Sequence, residues 1–150
     1  MKRSIALSLV ALALTATGCI GEKSGWGFSL PDGDVAAGER AFVSLGCPSC
    51  HLVDGVDGLR PEGVDPELSI ILGGETVRIA TYGELVTSVI NPSHRLSKTY
   101  REDVVAVDGV SKMRNYNSVM TVEELIDIVA FLQSHYTLPE YPETEYYPYR

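Results

Sequence analysis

Cys47-Pro48-Ser49-Cys50-His51 is the stretch on which the reading of this chain turns. Two thiols stand three residues apart, and an imidazole follows at once. That spacing serves three chemistries: a dithiol–disulfide couple, half of a zinc site, or covalent attachment of a prosthetic group with the imidazole as its ligand. Context separates them. Zinc needs a second ligand pair, and the other histidines, His94 and His135, stand singly. A thioredoxin-like couple belongs to a strand–helix setting. Here helical spacing precedes the motif instead. Val35, Gly38, Phe42 and Leu45 share one face, with Asp34 as N-cap and Gly46 as the stop.

Attachment of one covalent haem c is the reading that remains. Two thiols across one edge of the macrocycle meet its two vinyl groups, and the adjacent His51 falls under the iron. Export fits this chemistry, because haem is attached to such chains outside the cytoplasm. Lys2 and Arg3 form a basic start, residues 4–15 are apolar, and Ala16-Thr17-Gly18-Cys19 follows. About twelve apolar residues fall short of the ~20 that span a bilayer, so residues 1–18 read as a secretory signal peptide. Ala16-x-Gly18 suits ordinary signal cleavage. The run into Cys19 also resembles the lipobox of bacterial lipoproteins. That resemblance implies a lipidated Cys19 as first mature residue and a lipid-anchored, extracytoplasmic protein on the periplasmic side. Two or three acyl chains, at ~0.8 kcal/mol per buried CH₂, tether a protein essentially permanently. Residues 19–33, rich in Gly and Ser, read as lipidated Cys and flexible tether.

Two more helices are marked. Thr121-Val122-Glu123-Glu124 is a capping box, followed by Leu125, Ile128, Val129, Leu132 and Tyr136 on one face with Phe131 on its flank, up to Leu138-Pro139. Thr81-Tyr82-Gly83-Glu84 opens a second helix, with Tyr82, Leu85, Val86, Val89 and Ile90 apolar and Asn91-Pro92 as its end. Ile70-Ile71-Leu72, Gly73-Gly74 and residues 76–79 suggest a small β-hairpin. Residues 104–107 with Asp108-Gly109 suggest another strand and turn.

These features together resemble the class I c-type cytochromes over roughly residues 34–136. Gly38 and Phe42 match that family's glycine and aromatic on the first helix, Phe131 its aromatic on the last, and Ile90-Asn91-Pro92 the end of its central helix. The resemblance implies a mainly α, class I cytochrome c fold, three or more helices around one haem, with the small hairpin as an insertion. Similar insertions occur in cytochrome domains appended to oxidase subunits. Val64-Asp65-Pro66-Glu67-Leu68 resembles the family's Gly-Pro-x-Leu segment. Carried over, the Pro66 carbonyl accepts the His51 Nδ1–H and Leu68 covers the ring. Lys112-Met113-Arg114-Asn115-Tyr116 resembles the family's Met-Pro-x-aromatic loop, with Arg114 in place of the Pro. It implies Met113 as the second iron ligand. Met120, His94, His135 or an open position compete for that role. Met120 has another occupation, as a hydrophobic staple on Leu125.

The domains are therefore a signal peptide (1–18), a lipidated Cys and tether (19–33), a cytochrome c domain (34–137) and a Pro/Tyr-rich tail (138–150). The tail holds four of the eight tyrosines, and wrapping over the domain would cover them. A His51/Met113 pair leaves no open site for a substrate. The expected role is a membrane-tethered monohaem electron carrier, not an enzyme. The alternatives are a fixed haem subunit of a larger oxidase or reductase, or a haem sensor or enzyme with an open distal site. Lys+Arg 12 against Asp+Glu 20 gives −8, and loss of Lys2 and Arg3 with the signal leaves −10. Nucleic-acid binders are basic, so that partner class is excluded. The acidity predicts redox partners with a basic docking face.

Overall fold

A computed structural model describes residues 30–64, 69–76 and 82–138. Its elements all lie in the unit that begins at Pro31. The signal peptide, Cys19, the tether up to residue 29, Pro66, Leu68, Thr81 and the tail from residue 139 lie outside the described residues.

Helix α1, Val35–Ser44, starts where Asp34 Oδ1 accepts the Ala37 N–H at 2.6 Å. That bond satisfies one of the free N–H groups of the first turn. It stops at Gly46, which takes φ 74°. The buried face is Gly38, Ala41 and Phe42. Val35, expected on that face, is 45% exposed, and the inward stripe begins one turn later at Gly38.

Helix α4, Val122–Ser134, is opened by the full capping box. Thr121 Oγ1 accepts the Glu124 N–H at 3.1 Å, and Thr121 N–H donates to Glu124 Oε2 at 2.7 Å. Leu125, Ile126, Ile128, Val129, Phe131 and Leu132 are all buried. Burial thus reaches further round the helix than the expected face, and Phe131 lies in the core instead of on a flank. The helix ends earlier than the Leu138-Pro139 signal suggests. Tyr136–Thr137 is strand β6, because its backbone groups pair with another segment.

The two helices meet at Gly38. A Cβ there would lie 2.0 Å from the Asp127 carbonyl oxygen and 2.8 Å from Phe131 Cβ. Phe42 and Phe131 stack beside this crossing, 5.7 Å between ring centres and tilted by 55°. Asp34 N–H also donates to Asp127 Oδ1 at 2.8 Å, pinning the start of α1 to α4. Ala41, Phe42, Val53, Ile128, Phe131 and Leu132 form the core, with Leu45, Cys47, Leu72 and Met120 packed against it.

Residues 77–79 of the expected hairpin lie outside the described residues, and its described part pairs elsewhere. Strand β1, His51–Val53, pairs in parallel with β2, Ile70–Leu72, in the register His51↔Ile70. Strand β3, Gly74–Glu75, pairs in parallel with β6. Ile70 N–H binds the Cys50 carbonyl, Gly74 N–H that of His135, and Thr76 N–H that of Thr137. Parallel partners need a long connection, so these ladders join segments that are distant in sequence.

Helix α2, Tyr82–Ile90, buries Leu85 and Val86. Val104 and Val105, expected in a strand, close a single helical turn, α3 (Glu102–Val105). Strands β4 (Ala106–Val107) and β5 (Val110–Ser111) then form a tight antiparallel hairpin. Asp108 (φ 49°) and Gly109 (φ 75°) supply the two positive φ angles of a type I′ turn. Among the described residues, no helix is long and apolar enough to cross a membrane.

The capping box gives a local test. Thr121→Ala should lower unfolding stability by about 1 kcal/mol, read as a lower urea midpoint at unchanged slope. An unchanged midpoint would mean that the box adds nothing.

Candidate cofactor site

Residues Cys47–Ser49 form a 3₁₀ turn directly after α1, with Pro48 buried inside it. Ser49 N–H binds the Gly46 carbonyl at 3.1 Å and Cys50 N–H that of Cys47 at 3.2 Å. In such a turn, side chains at i and i+3 eclipse, which brings the two thiols to one side. Cys47 packs against the core, whereas Cys50 is exposed. His51 then enters β1, where the ladder to Ile70 fixes its backbone. The motif is held from two directions, by the end of α1 and by β2.

Cys47, Cys50, His51 and Met113 line one cavity of about 480 Å³. That is the scale of small-molecule and cofactor sites, roughly 300–1,000 Å³. Its walls include Leu45, Ile70, Leu96, Val104 and Val105. The segment bearing Met113 is anchored on several sides. Ser111 N–H donates to Ser93 Oγ at 3.1 Å, Met113 N–H to Ser111 Oγ at 3.2 Å, and Asn117 Nδ2 to the Ile90 carbonyl at 2.8 Å. Met120 does not line the cavity; it packs on the core cluster around Phe42 and Phe131. His94 is exposed, with Nδ1 2.9 Å from the Asn91 carbonyl. His135 caps α4, its ring edge-on to Phe131 at 4.9 Å.

Burial pushes the Cys47 thiol up to about 11, with a smaller push from Cys50. A thiol–disulfide catalyst needs the opposite, a thiol shifted down toward thiolate. Burial also lowers the His51 pKa. The nearby Ile70 backbone opposes that shift, and Arg60 adds to it. The ring is thus neutral, as a metal-ligating imidazole must be. Its Nδ1 is buried and makes no hydrogen bond to any described residue. Among the described residues, no three of His, Cys, Asp and Glu gather as a metal site. A covalently held haem asks less of the donor set: two thiols, one neutral imidazole and one thioether on a common cavity. The residues present fit that group.

Charge near the cavity departs from the chain's overall acidity. Arg95, Lys112 and Arg114 line it, and among the described residues no Asp or Glu does. Arg95 pairs with Glu84 at 3.0 Å, Lys112 Nζ donates to the Asp103 carbonyl, and the Arg114 guanidinium lies 5.4 Å above the Tyr116 ring. Sequence reasoning missed these cations. The available signal was the crowding of Arg95, Lys98, Arg101, Lys112 and Arg114 into twenty residues of an otherwise acidic chain. It also missed Arg60, which donates to the motif's own Pro48 carbonyl. A scan against protein-family models and searches of curated proteins and of solved structures each find no match.

Proposed function

We propose that this chain is a monohaem c-type cytochrome of the class I fold, lipid-anchored through Cys19 on the periplasmic side of a membrane. It carries single electrons between redox proteins and is not itself an enzyme. The observation that carries this reading is the lining of one cavity by Cys47, Cys50, His51 and Met113. Bound there, haem supplies a one-electron iron couple, and Met/His ligation favours the ferrous form relative to bis-His ligation.

The chain's own residues have three tasks. Cys47 and Cys50 anchor the macrocycle, and His51 and Met113 ligate its iron. Pro66 and Leu68 orient and cover the His51 ring on this reading. Leu45, Ile70, Val104 and Val105 keep water from the cavity walls. Cys50, one of the two thiols that would hold the haem, is exposed. Electrons would pass there during brief docking, through the small interfaces typical of such encounters. The −10 charge of the processed chain attracts partners with a basic face at long range, and salt weakens that attraction, whereas at the cavity itself a partner meets Arg95, Lys112 and Arg114.

The test is expression of the full chain in a host that matures c-type cytochromes. The expected product is a coloured membrane fraction whose haem stays with the protein after acid–acetone extraction. A colourless protein, or haem that extracts, overturns the reading.

A further inference from the structure

Arg60 does not line the cavity, yet it touches both segments that hold the motif. Its Nε donates to the Pro48 carbonyl at 3.3 Å, and its Nη1 to Ser69 Oγ at 2.6 Å. Pro48 lies inside the Cys47–Ser49 turn. Ser69 directly precedes Ile70, the register partner of His51. One guanidinium therefore spans the thiol-bearing turn and the strand that aligns the imidazole. Its third nitrogen, Nη2, is buried and has no hydrogen-bond partner among the described residues. Both acceptors are neutral, and among the described residues no carboxylate pairs with Arg60. A cation held by neutral acceptors in a partly buried place keeps its field, whereas an ion pair would cancel most of it.

We propose that Arg60 is a positioning residue and a fixed positive charge that raises the electron affinity of iron held by His51. The proposal rests on the haem reading. Its physics is simple: ferric iron carries one more positive charge than ferrous iron, so a neighbouring cation disfavours the oxidised form. The forked hydrogen bonds fix where that charge stands.

The experiment compares midpoint potentials of the purified holoprotein for wild type, Arg60→Lys, Arg60→Met and Arg60→Gln. Gln can still donate to the Pro48 carbonyl but carries no charge. Both neutral variants should shift the one-electron equilibrium about tenfold toward the ferric form, a potential about 59 mV lower. Arg60→Lys should stay within about twofold of wild type. Coloured neutral variants at the wild-type potential overturn the proposal, as does a Lys variant displaced as far as the neutral ones. If neither neutral variant matures, Arg60→Lys decides. A Lys holoprotein at the wild-type potential supports the charge, and loss of that holoprotein too leaves only a structural clamp and overturns it. A colourless wild type overturns the haem reading itself, which is a distinguishable result.

Discussion

Gly38→Ala is expected to lower the stability of the domain by about 3 kcal/mol, a large part of the 5–15 kcal/mol typical of a whole domain. On an exposed helix the same change would help, by up to about 1 kcal/mol. Here the new Cβ would sit 2.0 Å from the Asp127 carbonyl oxygen and 2.5 Å from its carbon. Those are backbone atoms of α4, so no side chain can rotate away. The helices must separate, and the Phe42–Phe131 contact beside the crossing opens with them. Gly83 in α2 is the internal control, because a Cβ there meets no atom of the described residues within 4 Å. Urea unfolding of Gly38→Ala and Gly83→Ala should move the midpoint in opposite directions. A Gly38→Ala midpoint at or above wild type would refute the close crossing.

Met113→Ala is expected to change the ferric and ferrous spectra, lower the midpoint potential and let the reduced protein bind CO. The basis is the placement of Met113 on the cavity with His51, where under the proposed haem ligation its thioether would be the soft donor favouring ferrous iron. Met120→Ala is the discriminating partner. Met120 packs on the core and does not line the cavity. Met120 is partly buried, so its truncation should destabilise by up to about 2 kcal/mol, the low end for a fully buried methionine, and leave the spectra alone. An unchanged ferric spectrum in Met113→Ala, or a changed one in Met120→Ala, would move the ligand assignment elsewhere.

What could be read from the sequence follows from how local each signal is. Asp34, Thr121 and Glu124 announce helix starts because caps act within three residues. The motif is equally local, since its five residues carry both the thiols and the imidazole. Gly38 is different. Its helix spacing was legible, but its partner Asp127 stands far along the chain, and only the family resemblance pointed to that meeting. The hairpin expectation at residues 70–79 met the same limit: its described part pairs with distant segments, and residues 77–79 lie outside the described residues. An apolar run beside two glycines shows that a strand and a turn exist, not whose backbone they pair with. The answer was His51–Val53 and Tyr136–Thr137. Val104 and Val105 are β-branched and read as strand, yet they close a helical turn, because β-propensity yields to surroundings. The cations of the cavity were hidden by averaging, since a net charge says nothing of where its exceptions gather.

The bond from Asp34 to Asp127 joins residues 93 positions apart. A chain synthesised from its N-terminus cannot make that bond until α4 has followed α1. Until then α1 has no partner for Gly38, and the five residues after it hang in an open thread. The thiols of Cys47 and Cys50 therefore stand free of the α1–α4 crossing until the last helix arrives.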